Sequence, residues 1–318
     1  MKKYLKLIRV KHYMKNILIL LPAVLTQQLF CREAFFESAI GIAIFSMISS
    51  VIYVVNDIRD VESDRQHPTK CTRPLASGEI SERAAKCLVF VLVMGVIFIW
   101  GGANERFAFK YILVPLLYFV MNIAYSMKLK EYPLIDVFIL MFGYVLRLVY
   151  GGILIGTGVS AWMFLTVTAA AFFLGFGKRR NEFLMYGDTG RANLKRYTLG
   201  FLDQACLMSM TTTIVFYSLS CADMDTAVAK AGVNLLWSVP VVFIICLRYL
   251  MILHNGRSDG DPMEVLLKDK WLALLCVFYF AVLLLLLYGS DLLHLKIVGL
   301  SGTDAMFLFQ KSTVKSNV

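Results

Sequence analysis

Residues 54–70 read VVNDIRDVESDRQHPTK, and they follow an apolar stretch, 36–55, long enough to be a membrane-crossing helix. Four acidic side chains, Asp57, Asp60, Glu62 and Asp64, fall within eight positions at the end of that stretch. If the helix continues past Val55, Asn56, Asp60 and Asp64 sit at i, i+4 and i+8. They then form one stripe that drifts by about 40° per step, with Asp57 beside it.

Outward from this stretch the chain is greasy throughout. Of its 318 residues 58% are hydrophobic and 17% are charged, and its mean hydropathy is +0.68. Soluble domains are about half apolar and about a quarter charged, so the composition places the chain in a bilayer. Runs long enough to cross roughly 30 Å of hydrocarbon occur near 14–32, 36–55, 86–104, 109–127, 134–156, 160–177, 204–222, 232–252 and 271–289. The expected fold class is therefore all-α: a polytopic membrane protein with nine transmembrane helices forming one domain over 1–318, without a soluble insertion or tandem repeat. The basic N-terminus, MKKYLKLIRVKHYMKN, leads into the first span and is not read as a removed signal peptide.

The net charge of +10 is unevenly spread. The N-terminus and the connections near 57–86, 128–133, 178–196 and 248–270 hold 24 of the 32 Lys and Arg. That asymmetry puts the N-terminus and these connections in the cytoplasm, and residues 290–318 in an extracytoplasmic tail. It also removes the need for a nucleic-acid partner to explain the charge. The expected location is the plasma membrane, with the active site facing the cytoplasm. The seven cysteines contain no C-x-x-C pair and mostly lie in apolar runs, so neither disulfides nor a thiolate metal site is expected.

Carboxylates and an amide at helical spacing suit Mg²⁺, which keeps several waters and bridges one or two carboxylates to substrate phosphates. The plain alternative is a solvated helix end whose acids pair with Arg59 and Arg65. Four acids and an Asn at a membrane exit are denser than that alternative requires, because unneutralised like charges are costly. The following HPTKCTRPLASG, 67–78, breaks the helix at Pro68 and Pro74, turns at Gly78 and leaves Ser81 to cap a helix from Glu82. It presents Lys70 and Arg73, cations suited to the remaining oxygens of a diphosphate. His67 alone reads as structural.

N-D-x-x-D-x-x-x-D at the end of the second span, followed by R-P-L-x-S-G, resembles the first motif of the UbiA superfamily of intramembrane transferases, a nine-helix fold. YSMKLKEYPLIDVFILMFGYVLRLVYGG, 125–152, looks like the fourth and fifth spans of that family. Its aromatic prenyltransferases carry a second motif, D-x-x-x-D, after the sixth span. Here that place reads GFGKRRNEFLMYGDTGRANLKRYT, 175–198, with Glu182 and Asp188 among Lys178, Arg179, Arg180, Arg191, Lys195 and Arg196. The H-P-x-K before R-P, the G-K-R-x-x-E, VKHYMKN before span one and GDPMEVLLKD (260–269) before span nine resemble the decaprenyl-phosphate phosphoribosyltransferase branch. The second arginine of GKRRNE departs from that branch, where an aromatic is expected at 180, and leaves the role of Arg180 open.

The resemblance implies transfer of 5-phosphoribose from phosphoribosyl diphosphate to a polyprenyl phosphate, with Mg²⁺ as cofactor. It implies Asn56, Asp57, Asp60 and Asp64 at the metal and diphosphate, Lys70 and Arg73 on the diphosphate, and Lys178, Arg179 and Glu182 on the ribose and its 5-phosphate. Asp60, Asp64 and Lys178 are the expected catalytic residues. An acceptor phosphate is already an anion, consistent with the lack of an obvious His or Cys base.

Four further residues divide between substrate site and structure. Asp136 and Arg147, eleven apart on one span, are the deepest intramembrane charges, and fit a substrate site or structural pairs with another helix. Lys15 and Asn16, at the mouth of span one, could hold a lipid phosphate or act as an interfacial anchor. Tyr125 and Ser126 are expected at the edge of the cavity. Asp261, Glu264 and Asp269 read as structural. The competing readings are an aromatic prenyltransferase, a transporter or channel, which needs midplane charge and paired broken helices, and a noncatalytic scaffold; oligomeric state, including a homo-oligomer, is left open.

Overall fold

In the computed structural model, residues 2–66, 70–102, 109–187, 193–223, 234–255 and 261–293 are described, and among them the only regular elements are helices. His67, Asp188, Arg191 and the tail beyond 293 lie outside the described residues. The α-helices are α1 (Lys2–Leu7), α2 (Leu21–Leu25), α3 (Arg32–Arg59), α4 (Val61–Gln66), α5 (Glu82–Gly102), α6 (Phe109–Met127), α7 (Ile135–Leu154), α8 (Ala161–Tyr186), α9 (Leu199–Ala222), α10 (Val239–His254), α11 (Pro262–Lys268) and α12 (Lys270–Leu293). Seven of the described helical stretches are long and apolar enough to cross a membrane, and Ile112–Met127 is apolar but shorter. Large apolar side chains such as Phe98, Met208, Trp271 and Val277 are exposed, while Ser38, Ser46, Ser49 and Ser50 are buried. That inversion of the soluble pattern belongs to a multi-pass membrane protein, whose helices pack through small residues because lipid offers no hydrophobic drive between them.

The first expected span, 14–32, departs from one continuous helix. Val10–Leu20 is a 3₁₀ segment, followed by the five-residue α2. Runs of 3₁₀ helix beyond three or four residues are uncommon, so tertiary contacts must hold this one. Gly151 of α7 leaves no room there for a side chain, since a Cβ would lie 2.1 Å from the Ile19 carbonyl oxygen. Asn16 is buried and hydrogen-bonds Ser46 and Arg147. At the other expected boundaries, α8 continues nine residues past 177 and α9 begins at Leu199, so the KRRNE segment is helical.

The chain divides into two compact units, one of Met1–Ala23 and Cys31–Gly158, the other of Val24–Phe30 and Val159–Val318. In the first, α3 is the central element. Phe45 and Ile52 pack with Ile19, Tyr118, Leu146, Tyr150 and Leu154. Gly41 lets the Leu154 side chain approach closely. A second apolar cluster of Leu7, Val54, Val61, Leu75, Ile80 and Ala85 fixes α1 and the 70–80 loop against the end of α3. In the second unit α8 and α9 form an antiparallel pair capped by Ser160 and Thr198 side chains, which accept from Met163 N and Phe201 N. There Val24, Leu235, Leu283, Leu287 and Tyr288 form the cluster that holds residues 24–30.

Candidate functional site

The acidic stripe keeps its helical spacing across a break. α3 ends at Arg59, Asp60 follows with backbone φ −92° and ψ 6°, and α4 begins at Val61. Asp60 N still donates to Asn56 O at 2.9 Å, and Asp64 N to Asp60 O at 2.8 Å. Asn56, Asp60 and Asp64 therefore remain one hydrogen-bonded turn apart. Asp57 and Asp64 are each 3% exposed, whereas Asn56 and Asp60 are half-buried.

The buried acids are neutralised by two arginines. Arg9 Nη2 lies 2.7 Å from Asp57 Oδ1, and its guanidinium stacks on the Tyr53 ring with 4.7 Å to the centroid. Arg73 Nη1 bridges Asp57 Oδ1 at 3.1 Å and Asp64 Oδ2 at 2.6 Å, and Lys70 Nζ stands 4.0 Å from Asp64 Oδ1. Of the partners anticipated from sequence, Arg65 pairs as expected with one of the four acids, the exposed Glu62, at 2.8 Å, and Arg59 makes no ion pair among the described residues. Arg9 carries no motif of its own; only its place ahead of VKHYMKN hints at it. Its left-handed backbone, φ 55° and ψ 50°, costs an L-residue on the order of 1 kcal/mol, which the ion pair and the stacking offset.

Local structure fixes the backbone that carries Arg73. Leu75 and Ile80 anchor the loop in the apolar cluster, Gly78 turns it at φ 78°, and Lys6 Nζ and Lys3 Nζ bind the Thr72 and Glu79 carbonyls. Ser81 Oγ accepts from Ala84 N to start α5. Asn56 and Asp60 differ from Asp57 and Asp64, because their side chains make no hydrogen bond or ion pair among the described residues. Asn56 also lines a cavity of about 560 Å³ with Val55, Arg59, Ile123, Ser126, Met127 and Lys128. Of the expected pair, Ser126 lines that cavity; Tyr125, half-buried, is not among its lining residues.

Asn16 and Arg147 come together in the same unit. Arg147 Nε donates to Asn16 Oδ1 at 2.7 Å, Nη1 to the Gly143 carbonyl at 2.6 Å and Nη2 to Tyr118 Oη at 3.1 Å, with Phe45 and Tyr118 rings on its faces. Its contacts are those of a cross-element pair. Lys15 is half-buried and Asp136 fully buried.

In the second unit the end of α8 carries the remaining expected residues. Lys178 Nζ lies 3.2 Å from Asp261 Oδ2, and Arg179 pairs with Glu182 one turn on. Arg180, whose role sequence left open, is 5% exposed; its Nε lies 2.5 Å from Asp203 Oδ1 and its Nη1 donates to the Leu253 carbonyl at 2.8 Å. Lys195 and Arg196 are exposed on a short 3₁₀ turn. Asp261 caps α11 through Met263 N, and Asp269 caps α12 through Leu272 N while accepting from Arg248. The Arg248 hydrogen bond holds the Asp269 carboxyl below the usual carboxylate range. Both acids thus have the structural part expected of them.

A multi-pass membrane chain, helical throughout its described residues, with a carboxylate-and-amide cluster at one helix end defines a class, and comparison with known proteins places it. The model of the UbiA prenyltransferase family matches residues 32–266, and the chain belongs to that family. It is similar to decaprenyl-phosphate phosphoribosyltransferase of Corynebacterium glutamicum, 30% identical over 289 residues that cover 89% of this chain and 86% of the relative. The enzyme of the same name from Mycobacterium tuberculosis is 30% identical over 285 residues, 87% of this chain and 91% of the relative. In fold it resembles a UbiA homolog from Archaeoglobus fulgidus solved with GPP and Mg²⁺, with TM-score 0.64, 19% identity, and coverage of 88% of this chain and 99% of that one.

Proposed function

We propose that the protein transfers 5-phosphoribose from phosphoribosyl diphosphate to a polyprenyl phosphate in an Mg²⁺-dependent reaction that releases diphosphate. The observation that carries the reading is a contrast between two helix ends. The end of α3 carries the carboxylates, whereas the last turns of α8 carry Lys178, Arg179 and Arg180 where a prenyl diphosphate enzyme needs a second acidic pair. A donor with a diphosphate at C1 and a monophosphate at C5 calls for one metal cluster and separate cations. Similarity to phosphoribosyltransferases along most of both chains supports the same choice.

Two observations support this donor set: Asp57 and Asp64 lie close enough for one nitrogen to bridge them, and Asn56 and Asp60 offer uncommitted oxygens one turn apart. Asn56, Asp57, Asp60 and Asp64 are the proposed ligands, and bound Mg²⁺ would neutralise the departing diphosphate. Lys70 and Arg73 take diphosphate oxygens; Lys178, Arg179 and Glu182 hold the ribose and its 5-phosphate. The new bond joins an acceptor phosphate oxygen to C1 as the bond from C1 to the diphosphate breaks, and no general base is needed. Acceleration comes from alignment and charge stabilisation. Nine crossings, with the N-terminus and the charged connections on the cytoplasmic side of the plasma membrane, complete the proposal.

The test incubates purified protein with Mg²⁺ in two mixtures, labelled phosphoribosyl diphosphate with polyprenyl phosphate, and labelled prenyl diphosphate with an aromatic acid. Labelled lipid is expected from the first. Product from the second alone would assign the chain to the aromatic prenyltransferases.

A further inference from the structure

Asp57 already has a dedicated counter-ion in Arg9, 2.7 Å away and stacked on Tyr53. Arg73 is a second cation on the same carboxylate oxygen, and the same nitrogen reaches Asp64 from a loop. One Nη1 at 3.1 and 2.6 Å from two carboxylates seven residues apart stands where a bridging cation would stand. Among the described residues, no three Asp, Glu, His or Cys side chains are gathered ready for an ion. The two acids that lie together are both engaged by the guanidinium. The Arg73 side chain is 30% exposed, against 4% and 5% for the carboxylates it bridges, so the guanidinium has a path into water.

We propose that Arg73 is a resident counter-cation that holds the metal's place between Asp57 and Asp64 and passes to the donor's diphosphate when metal and donor bind together. The inference rests on the metal-dependent transfer proposed above. Its chemistry is a competition: metal alone must displace a guanidinium from two charge-assisted hydrogen bonds, while metal arriving with a diphosphate offers that guanidinium a new bidentate anion. Metal and donor are then coupled through one side chain, and the coupling is reciprocal. Arg9 stays on Asp57 in both states and keeps that buried carboxylate neutralised while Arg73 moves.

The test titrates Mn²⁺ alone into the purified full chain and follows the free ion by EPR, with wild type, Arg73→Gln and Arg73→Lys compared. Arg73→Gln is expected to bind Mn²⁺ about 10- to 100-fold more tightly than wild type, the range typical of a coupling carried by one element. Arg73→Lys, which lacks the planar fork, falls between them. In the same variants the KM for phosphoribosyl diphosphate rises. Mn²⁺ affinity in Arg73→Gln equal to or weaker than in wild type, at an unchanged melting temperature, overturns the proposal. If Arg73→Gln does not fold, wild-type affinity in Arg73→Lys overturns it instead. Failure of every protein to bind Mn²⁺, with or without phosphoribosyl diphosphate, would remove the metal reading itself. Equal binding by all three would remove only the place-holder.

Discussion

Arg147 is 4% exposed and has no carboxylate partner among the described residues, so neutral oxygens and two rings must replace its hydration. Burying an unpaired ion costs several kcal/mol even after relaxation. Hydrogen bonds to a charged group return about 1.5–3 kcal/mol each, and ring contacts of a desolvated cation about 2 kcal/mol. Three bonds and two rings together are enough to offset that cost. Replacement by Met removes both sides of that balance but leaves Asn16 Oδ1 and Tyr118 Oη short of a donor, a loss of about 2–4 kcal/mol. Asn16→Leu beside an intact Arg147 strands the cation; beside Arg147→Met it does not. The pair should therefore couple by about 1–2 kcal/mol, near the top of the range for polar contacts between membrane helices. Reversible unfolding in mixed micelles of the two single variants and the double variant measures this. Additivity within about 0.5 kcal/mol would refute the argument. So would a pure rise in KM with unfolding unchanged, which a substrate ligand would give.

Gly151→Ala places a methyl against the Ile19 carbonyl and should cost about 1–3 kcal/mol, whereas Gly158→Ala, with nothing within 4 Å, should be close to neutral; thermal melts of the two variants decide. Arg180→Ala leaves the Leu253 carbonyl and Asp203 without their donor and should lower stability by about 3 kcal/mol, with a smaller effect for Asp203→Asn, whose side chain is 38% exposed. Asp60→Ala should abolish turnover at an unchanged melting temperature, since its carboxylate has no partner among the described residues. Asp64→Ala should lose turnover and stability together, because it takes a buried partner from Arg73. Substantial activity in Asp60→Ala would contradict its metal role.

What could be read from sequence was local. The long apolar runs locate α3, α5, α6, α7 and α12, because length and hydropathy alone decide whether a helix suits a bilayer. The i, i+4, i+8 stripe survived a break in its helix because the four-residue hydrogen bonding continued through Asp60. What sequence could not supply was pairing at a distance. Arg9 meets Asp57 across 48 positions and Arg147 meets Asn16 across 131, and neither spacing has a periodic signature. Of the nearer arginines, Arg65 reaches only the exposed Glu62, and the buried Asp57 and Asp64 take their cations from farther along the chain. The 3₁₀ geometry of the first span escapes the sequence for the same reason, since it is held by Gly151 and by contacts of Asn16 that no window around residue 20 contains. Arg180 breaks the expected motif and acts through Asp203 and the Leu253 carbonyl, one 23 and the other 73 positions away.

Two labelled donors separate this account from its rivals in one experiment. Phosphoribosyl diphosphate carrying radiolabel in the 5-phosphate, and a second preparation labelled in the terminal phosphorus of the diphosphate, are each incubated with the protein, Mg²⁺ and polyprenyl phosphate. Lipid extracts should gain label only from the first, with the second label recovered as free diphosphate. Label entering the lipid from the diphosphate, or from neither donor in a folded protein that transfers a prenyl group instead, would contradict it.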